Sequence, residues 1–393
     1  MKKILVSIYF LILIHFFIIS EESENLIDIF KSNFEKASPS VKYEVLQDAV
    51  KMGVEEIGPL FYNSIVYVIN NANKLESEPV LRKIGQYAVT QIHRIKYTPA
   101  KDLLWKLFLI DNNTQTRVNV LIAIAEIDAN SGEIINNINK WLDSQNNITL
   151  TGKKPDIGVI IACLQALGKI GDPSSFYSIF NTMIMNYSTI VTVTAEQALD
   201  LINGDLSELY MKLIMEGTFS IRKAAIEKSR TQNRLNDAEK CKIAHFTLNI
   251  SLYSSPANQN DKEISRETRS IAADILSNKS CPDTSQLVIK HFNQAIFEMD
   301  RGIISKSYLL SAIEALGNMR THDAAKRLTL YLETINSFTE NGRVYDEQIV
   351  LAVLNSLKKL KDRVAERALI YTKYLDYSKI IKKAAIDALQ NVQ

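Results

Sequence analysis

The chain has 393 residues, 46% of them apolar, which is enough to bury the core of two or three domains or of one long repeat array. Its 46 lysines and arginines nearly balance its 44 aspartates and glutamates, and two of the lysines, Lys2 and Lys3, lie at the N terminus. The rest of the chain therefore lacks the accumulated positive charge on which phosphate binding depends, and nucleic acid is excluded as the main partner.

Residues 1–20 have the order of segments of an export signal. Two lysines precede a long apolar run, and the acidic stretch EESEN follows it. The run is slightly shorter than the roughly 20 apolar residues of a membrane span, which favours a cleaved signal peptide. Ile18 and Ser20 form a poor cleavage site, however, so a retained N-terminal anchor is the alternative. We expect an exported protein, periplasmic or anchored to the membrane through this segment alone.

Residues 21–40 are expected to form a linker. From residue 41 onward the apolar residues recur with helical spacing, and the alternating Val, Thr and Tyr runs typical of strands are lacking. One pattern recurs along these helices. It reads CLQALGKIGDP from Cys163, AEQALDLINGD from Ala195, AIEALGNMRTHD from Ala312, VLNSLKKLKD from Val353 and AIDALQNV from Ala385.

Each copy of this pattern predicts the end of one helix and the start of the next. Small residues three apart, such as Ala312 and Ala315, lie on one helix face and let a neighbouring helix approach closely. An aspartate follows, whose carboxylate can accept from the unpaired N–H groups of the next helix's first turn. The predicted capping aspartates are Asp172, Asp205, Asp237, Asp283, Asp323 and Asp362.

The fold class predicted from this repetition is all-α. About nine antiparallel helix pairs are expected between residues 41 and 377, followed by a closing helix from about residue 378 to 392. The pairs are expected to start near residues 41, 78, 114, 155, 189, 218, 261, 303 and 345.

The motifs ALGKIGDP, IRKAAIEKS from Ile221, IEALGNM and IKKAAIDAL from Ile381 resemble the HEAT-repeat family, particularly its bacterial phycobilisome-lyase HEAT-like members. The resemblance implies that residues 41–393 form an α-solenoid, a HEAT/armadillo-like superhelix whose second helices line a concave partner-binding surface. It does not imply lyase activity, because the repeat motif itself carries no catalytic group.

The sequence contains none of the common motifs for metalloproteases, serine hydrolases or nucleotide-binding loops, and we expect neither catalysis nor a cofactor. In an oxidising compartment, Cys241 and Cys281 are candidates for a disulfide that joins two repeats. Alternatively, Cys241, His245, Cys281 and His291 supply the ligands of a zinc ion, and the protein is a metal-dependent enzyme or accessory factor.

A candidate protein-binding surface lies on the second helices of the last two pairs. Arg327 and Tyr331 are four residues apart, as are Arg367 and Tyr371, and Tyr374 follows three residues later. Exposed on neighbouring helices, they would form a ladder of the residue types favoured in protein interfaces. The alternative is local stacking of arginine on tyrosine without a partner.

The segment from Lys358 to Lys383 contains nine basic residues and three acidic ones. This local excess of positive charge would favour contact with an acidic protein or an anionic lipid surface. Together these features predict an exported, non-catalytic scaffold that binds other envelope proteins. A membrane-tethered adaptor is the alternative if residues 1–20 are retained.

Overall fold

The computed structural model describes residues 26–127, 132–279, 281 and 284–392. These residues form twenty α-helices and no strand, so the predicted all-α class is confirmed. The chain divides into two compact units, one ending at Asn203 and the other beginning at Gly204. The expected leader, residues 1–20, lies outside the described residues.

The helices of the first unit are α1 (residues 26–36), α2 (Pro39–Lys51), α3 (Gly58–Asn70), α4 (Pro79–Ile95), α5 (Lys101–Ile110), α6 (Thr114–Ile127), α7 (Gly132–Leu150), α8 (Ile157–Ile170), α9 (Phe176–Ile184) and α10 (Thr189–Leu201). The helices of the second unit are α11 (Leu206–Glu216), α12 (Phe219–Thr231), α13 (Asp237–Tyr253), α14 (Gln259–Asn278), α15 (Ser285–Asp300), α16 (Lys306–Asn318), α17 (His322–Glu340), α18 (Glu347–Leu360), α19 (Glu366–Tyr374) and α20 (Lys379–Leu389).

Residues 26–36 form a helix, which corrects the expectation of a linker over residues 21–40. Ile27, Phe30 and Phe34 are buried, and their spacing of three and four residues places them on one helix face. Burying this apolar face stabilises the helix against the rest of the unit, whereas a linker buries no such face.

Three of the aspartates predicted as helix caps have this role. Asp205 accepts from the backbone N–H groups of Ser207 and Glu208 at 2.8 and 3.2 Å at the start of α11. Asp172 and Asp362 each cap a short 3₁₀ turn that leads into α9 or α19. The aspartate signal therefore locates these helix starts.

Two other predicted caps are wrong by one or two residues. Asn236 caps α13 and forms a capping box with Glu239, while Asp237 is the first residue of that helix. The hydroxyl of Thr321 caps α17, and Asp323 lies in the first turn, where its charge still suits the helix dipole. Asp283 lies outside the described residues.

The two units repeat one pattern of helix contacts. The even-numbered helices from α4 to α10 contact one another in sequence. Each odd-numbered helix from α3 to α9 also packs against the even-numbered helix that follows it. Each of these contacts has its counterpart ten helices later. The second unit therefore repeats the helix packing of the first.

Corresponding polar clusters support this repetition. In the first unit, the Nδ2 of the buried Asn146 donates to the Thr182 hydroxyl at 3.0 Å, and its Oδ1 accepts from the Tyr187 hydroxyl at 2.8 Å. The cluster joins α7 and α9 to the turn that precedes α10.

The second unit has the same three residues in the same arrangement. Asn336 donates to the Thr372 hydroxyl at 3.1 Å and accepts from the Tyr377 hydroxyl at 3.0 Å. Each residue lies 190 positions after its counterpart (336 minus 146). The same three-residue cluster therefore occurs once in each unit.

Two glycines lie where neighbouring helices approach closely. A Cβ added at Gly168 on α8 would lie 2.8 Å from the Cα atom of Ala198 on α10. One added at Gly317 on α16 would lie 2.5 Å from the Cβ of Ser356 on α18. Small residues thus lie where one even-numbered helix packs against the next even-numbered helix.

Candidate protein-binding surface

Arg327 and Tyr331 on α17 do not form an exposed pair. Tyr331 is 5% exposed, its ring centroid lies 5.3 Å from that of Phe292 on α15, and its hydroxyl lies 2.8 Å from that of Tyr345. Burial, with the hydroxyl contact, raises the pKa of Tyr331 well above its ordinary value. Arg327 is half-buried and donates to Asn293 at 2.6 Å. The expectation of an exposed Tyr331 is wrong, because this face of α17 packs against α15.

Arg367, Tyr371 and Tyr374 on α19 are exposed, the two tyrosines by 42% and 78%. The Tyr371 hydroxyl donates to the Glu340 carboxylate at 2.5 Å, and this bond raises the pKa of Tyr371. The Lys373 ammonium lies 5.9 Å from the centroid of the Tyr374 ring. The ladder expected over two helices is therefore reduced to one exposed group on α19.

A groove with an apolar floor lies between α16 and α18, with a volume of about 980 Å³. Leu310 on α16 and Leu351 on α18 line it and are half-buried. The small side chains of Ser311 and Ala352 also line it. Small side chains such as these fill less of the space between α16 and α18 than large ones would, so a groove is left there.

The rim of this groove is basic. Lys358, Lys359 and Lys361 line it from the C-terminal end of α18, and Glu314 lies opposite on α16. The Lys359 ammonium contacts Glu314 at 3.4 Å and donates to Asn318 at 3.1 Å. Within the described residues, Lys358 and Lys361 have no ion-pair partner, so the rim retains a positive excess.

Sequence reasoning found the basic run that contains these lysines but missed the groove itself. Leu310 and Leu351 have the same helical spacing as core residues, and only their partial exposure distinguishes them. Their exposure depends on the distance between α16 and α18, and that distance cannot be predicted from one sequence.

Cys241 on α13 and Cys281, which follows α14, are joined by a disulfide with their Cα atoms 6.3 Å apart. The Cys281 N–H donates to the carbonyl of Leu276 at 3.2 Å, so the chain turns back over the end of α14. Since α13 and α14 pack together, this turn places the two cysteines side by side.

The alternative zinc ligands are not assembled. Both sulfurs lie in the disulfide, His245 is exposed on α13, and His291 is buried on α15. Across the described part of the chain, no group of three or more metal-ligating side chains is found. Cys163 is buried in the core of α8, as expected. Among the helices that the structure describes, none is both long enough and apolar enough to cross a membrane.

Comparison of the sequence with protein-family models found no match, and a search of curated proteins found none either. The likeness to HEAT repeats accordingly rests on the sequence motifs.

Proposed function

We propose that the protein is an exported, non-catalytic scaffold of HEAT-like helix pairs that binds other envelope proteins. The helix starts support this proposal. Each of the nine expected pair starts lies within three residues of the first residue of an even-numbered helix from α2 to α18. The expected start of the closing helix lies equally close to the first residue of α20. In this proposal about nine pairs stack as an α-solenoid, and neighbouring pairs bury the faces that one pair leaves exposed.

The groove between α16 and α18 is the observation that carries the proposal. Its floor is apolar and its rim is basic. A groove between two helices suits the apolar face of a third helix, and the lysines favour acidic residues flanking that face. The partner we propose is therefore an amphipathic segment with acidic flanks on another envelope protein.

The disulfide supports the exported location. Structural disulfides persist in the periplasm and outside the cell, whereas the cytosol keeps thiols reduced. In this proposal residues 1–20 direct export, and they contact the membrane only if they are retained.

A photocrosslinker placed at Asn355, an exposed residue that lines the groove, tests the proposed binding in cells. We expect it to capture a small set of envelope proteins, and Leu351→Lys to abolish capture because it places a charge in the apolar floor. Leu330→Lys is the matched control, since Leu330 is 50% exposed on α17 and does not line the groove.

Capture that is unchanged by Leu351→Lys, or lost equally with Leu330→Lys, contradicts the groove as the binding surface. Thermal unfolding of each variant shows that the loss of capture does not come from loss of fold. A crosslinker at Tyr374 tests the exposed group on α19 separately, because that group lies on a different helix.

A further inference from the structure

A second pocket in the second unit lies among α13, α14 and α15, and none of its lining residues lines the groove between α16 and α18. It has a volume of about 540 Å³. Its lining includes Arg266 and Arg269 on α14, Gln294 and Glu298 on α15, and Lys262 nearer the solvent. Such a concentration of cations in a helical core is costly, because burial removes their hydration.

The two arginines share one carboxylate. The Arg269 Nη2 donates to both carboxylate oxygens of Glu298 at 2.9 and 2.8 Å, and the Arg266 Nε lies 3.8 Å from the same group. Arg266, Arg269 and Glu298 are 8%, 6% and 8% exposed. The Arg269 Nε is buried without a hydrogen-bond partner.

The remaining charges do not balance the pocket. The Glu263 carboxylate pairs with Arg266 at 2.9 Å and accepts from the Tyr308 hydroxyl at 2.9 Å, so it is already engaged. Glu263 and Glu298 together carry two negative charges. Lys262, Arg266 and Arg269 carry three positive charges, so one positive charge is in excess.

The corresponding place in the first unit shows that the fold does not need the second arginine. The backbone N–H of Tyr97 donates to the carbonyl of Ile92 at the end of α4. The backbone N–H of Cys281 donates to the carbonyl of Leu276 at the end of α14 in the same way. The two bonds are 184 residues apart in the sequence (281 minus 97). The same offset matches Arg82 with Arg266 and Gly85 with Arg269.

Arg82 has a carboxylate of its own, since its Nε donates to Asp111 at 3.3 Å. Gly85 has no side chain and lies among apolar groups, since an added Cβ would be in ordinary contact with a methyl group of Val68 at 3.5 Å. Thus one half-buried arginine with one acid is sufficient in the first unit. The second unit adds the buried pair of Arg269 and Glu298, which packing alone does not explain.

We propose that this pocket binds a carboxylate group, held by Arg266 and Arg269 within and by Lys262 at the rim. The fork of N–H donors on a guanidinium matches the two oxygens of a carboxylate. A single negative charge offsets the excess of one positive charge, whereas a doubly charged phosphate would leave the filled pocket with a net negative charge. The carboxylate belongs to a free organic acid or to an aspartate or glutamate of a peptide. The site does not rest on the proposed scaffold function, since a free acid would fill it in a protein without a partner.

Titration calorimetry of the full-length protein tests the site with four probes. They are propionate, a capped hexapeptide containing one glutamate, the same peptide with glutamine, and inorganic phosphate. We expect either propionate or the glutamate peptide to bind at least about tenfold more tightly than phosphate and the glutamine peptide. Propionate alone identifies a free acid as the ligand, and the glutamate peptide alone identifies a peptide side chain.

Three variants locate the binding. Lys262→Glu, at an exposed position, and Arg269→Lys, which keeps the charge but loses the fork, should each weaken the carboxylate probe about tenfold or more. Lys326→Glu makes the same charge change on α17 outside the pocket and should leave the affinity unchanged. Equal binding of all four probes, no binding of either carboxylate, or an affinity unaffected by Lys262→Glu would overturn the proposal.

Discussion

At the scale of single residues, the duplicated clusters around Asn146 and Asn336 show how a buried amide joins helices. Each amide donates to a threonine on the neighbouring odd-numbered helix and accepts from a tyrosine beyond it. Removing the amide takes a hydrogen-bond partner from both the threonine and the tyrosine in a largely buried place, which costs more than the net contribution of one hydrogen bond.

We therefore expect Asn336→Ala to lower the free energy of unfolding by about 2 to 3 kcal/mol, since the Thr372 hydroxyl loses this partner and the Tyr377 hydroxyl its acceptor. Urea unfolding followed by circular dichroism measures this change. Ser337→Ala, one position further on at an exposed site, is the control and should change stability by less than about 0.5 kcal/mol. Equal effects of the two variants would show that the cluster is not structural.

His291 predicts an acid-sensitive component of stability. Burial, followed by the positive charge of Arg269, lowers the pKa of His291 to about 3 from its ordinary 6.5. Below pH 6.5 the unfolded chain therefore binds a proton that the folded chain does not, so stability is greatest above pH 6.5 and falls toward pH 3.

The size of this effect is about 1 kcal/mol per pH unit within that window. His291→Gln removes the titrating group, and we expect its unfolding free energy to depend less on pH than that of the native chain between pH 6.5 and 3. Denaturant unfolding at a series of pH values makes the comparison. Parallel curves for the two proteins would contradict the lowered pKa.

At the scale of helices, Gly317 and Gly168 show that close packing outweighs helix propensity. In an isolated helix alanine is more favourable than glycine by about 1 kcal/mol. At Gly317, however, the new methyl group would lie 2.5 Å from the Cβ of Ser356, so α16 and α18 would have to separate.

We expect Gly317→Ala to destabilise the protein by about 1 to 3 kcal/mol despite the better propensity. Gly132→Ala is the matched control, because a Cβ there meets no atom of the described residues within 4 Å. That control should leave stability unchanged or raise it slightly. Differential scanning calorimetry compares the two, and stabilisation by both would show that the helices are not in contact at Gly317.

At the scale of the whole molecule, the disulfide adds a constraint that the repeats themselves do not supply. Cys241 and Cys281 are 40 residues apart, and closing a loop of that length lowers the entropy of the unfolded chain. Cys281→Ser is therefore expected to lower the free energy of unfolding by up to about 4 kcal/mol.

Labelling with a thiol reagent after denaturation without a reductant checks the bridge directly. One reactive cysteine, Cys163, is expected in protein recovered from the proposed oxidising compartment, and three after reduction. Three reactive thiols before reduction would contradict both the disulfide and its use as support for export.

The local chemistry of the sequence determined the helical class and the positions of most helix starts. Periodic apolar residues, capping aspartates such as Asp205 and pairs of small residues act within one or two turns of chain, so a single sequence states them. The same reasoning did not predict α1, where a linker over residues 21–40 was expected, although Ile27, Phe30 and Phe34 have the spacing of one buried helix face.

Only the tertiary structure decided which residues are exposed and which meet. Tyr331 has the spacing of an exposed tyrosine but is buried by α15, and the excess charge around Arg269 depends on residues of α14 and α15 that are distant in sequence. The correspondence between the two units became evident through long-range contacts such as that of Asn336 with Thr372. Burial and charge balance arise where helices pack together, and a pattern of neighbouring residues along one chain does not specify that packing.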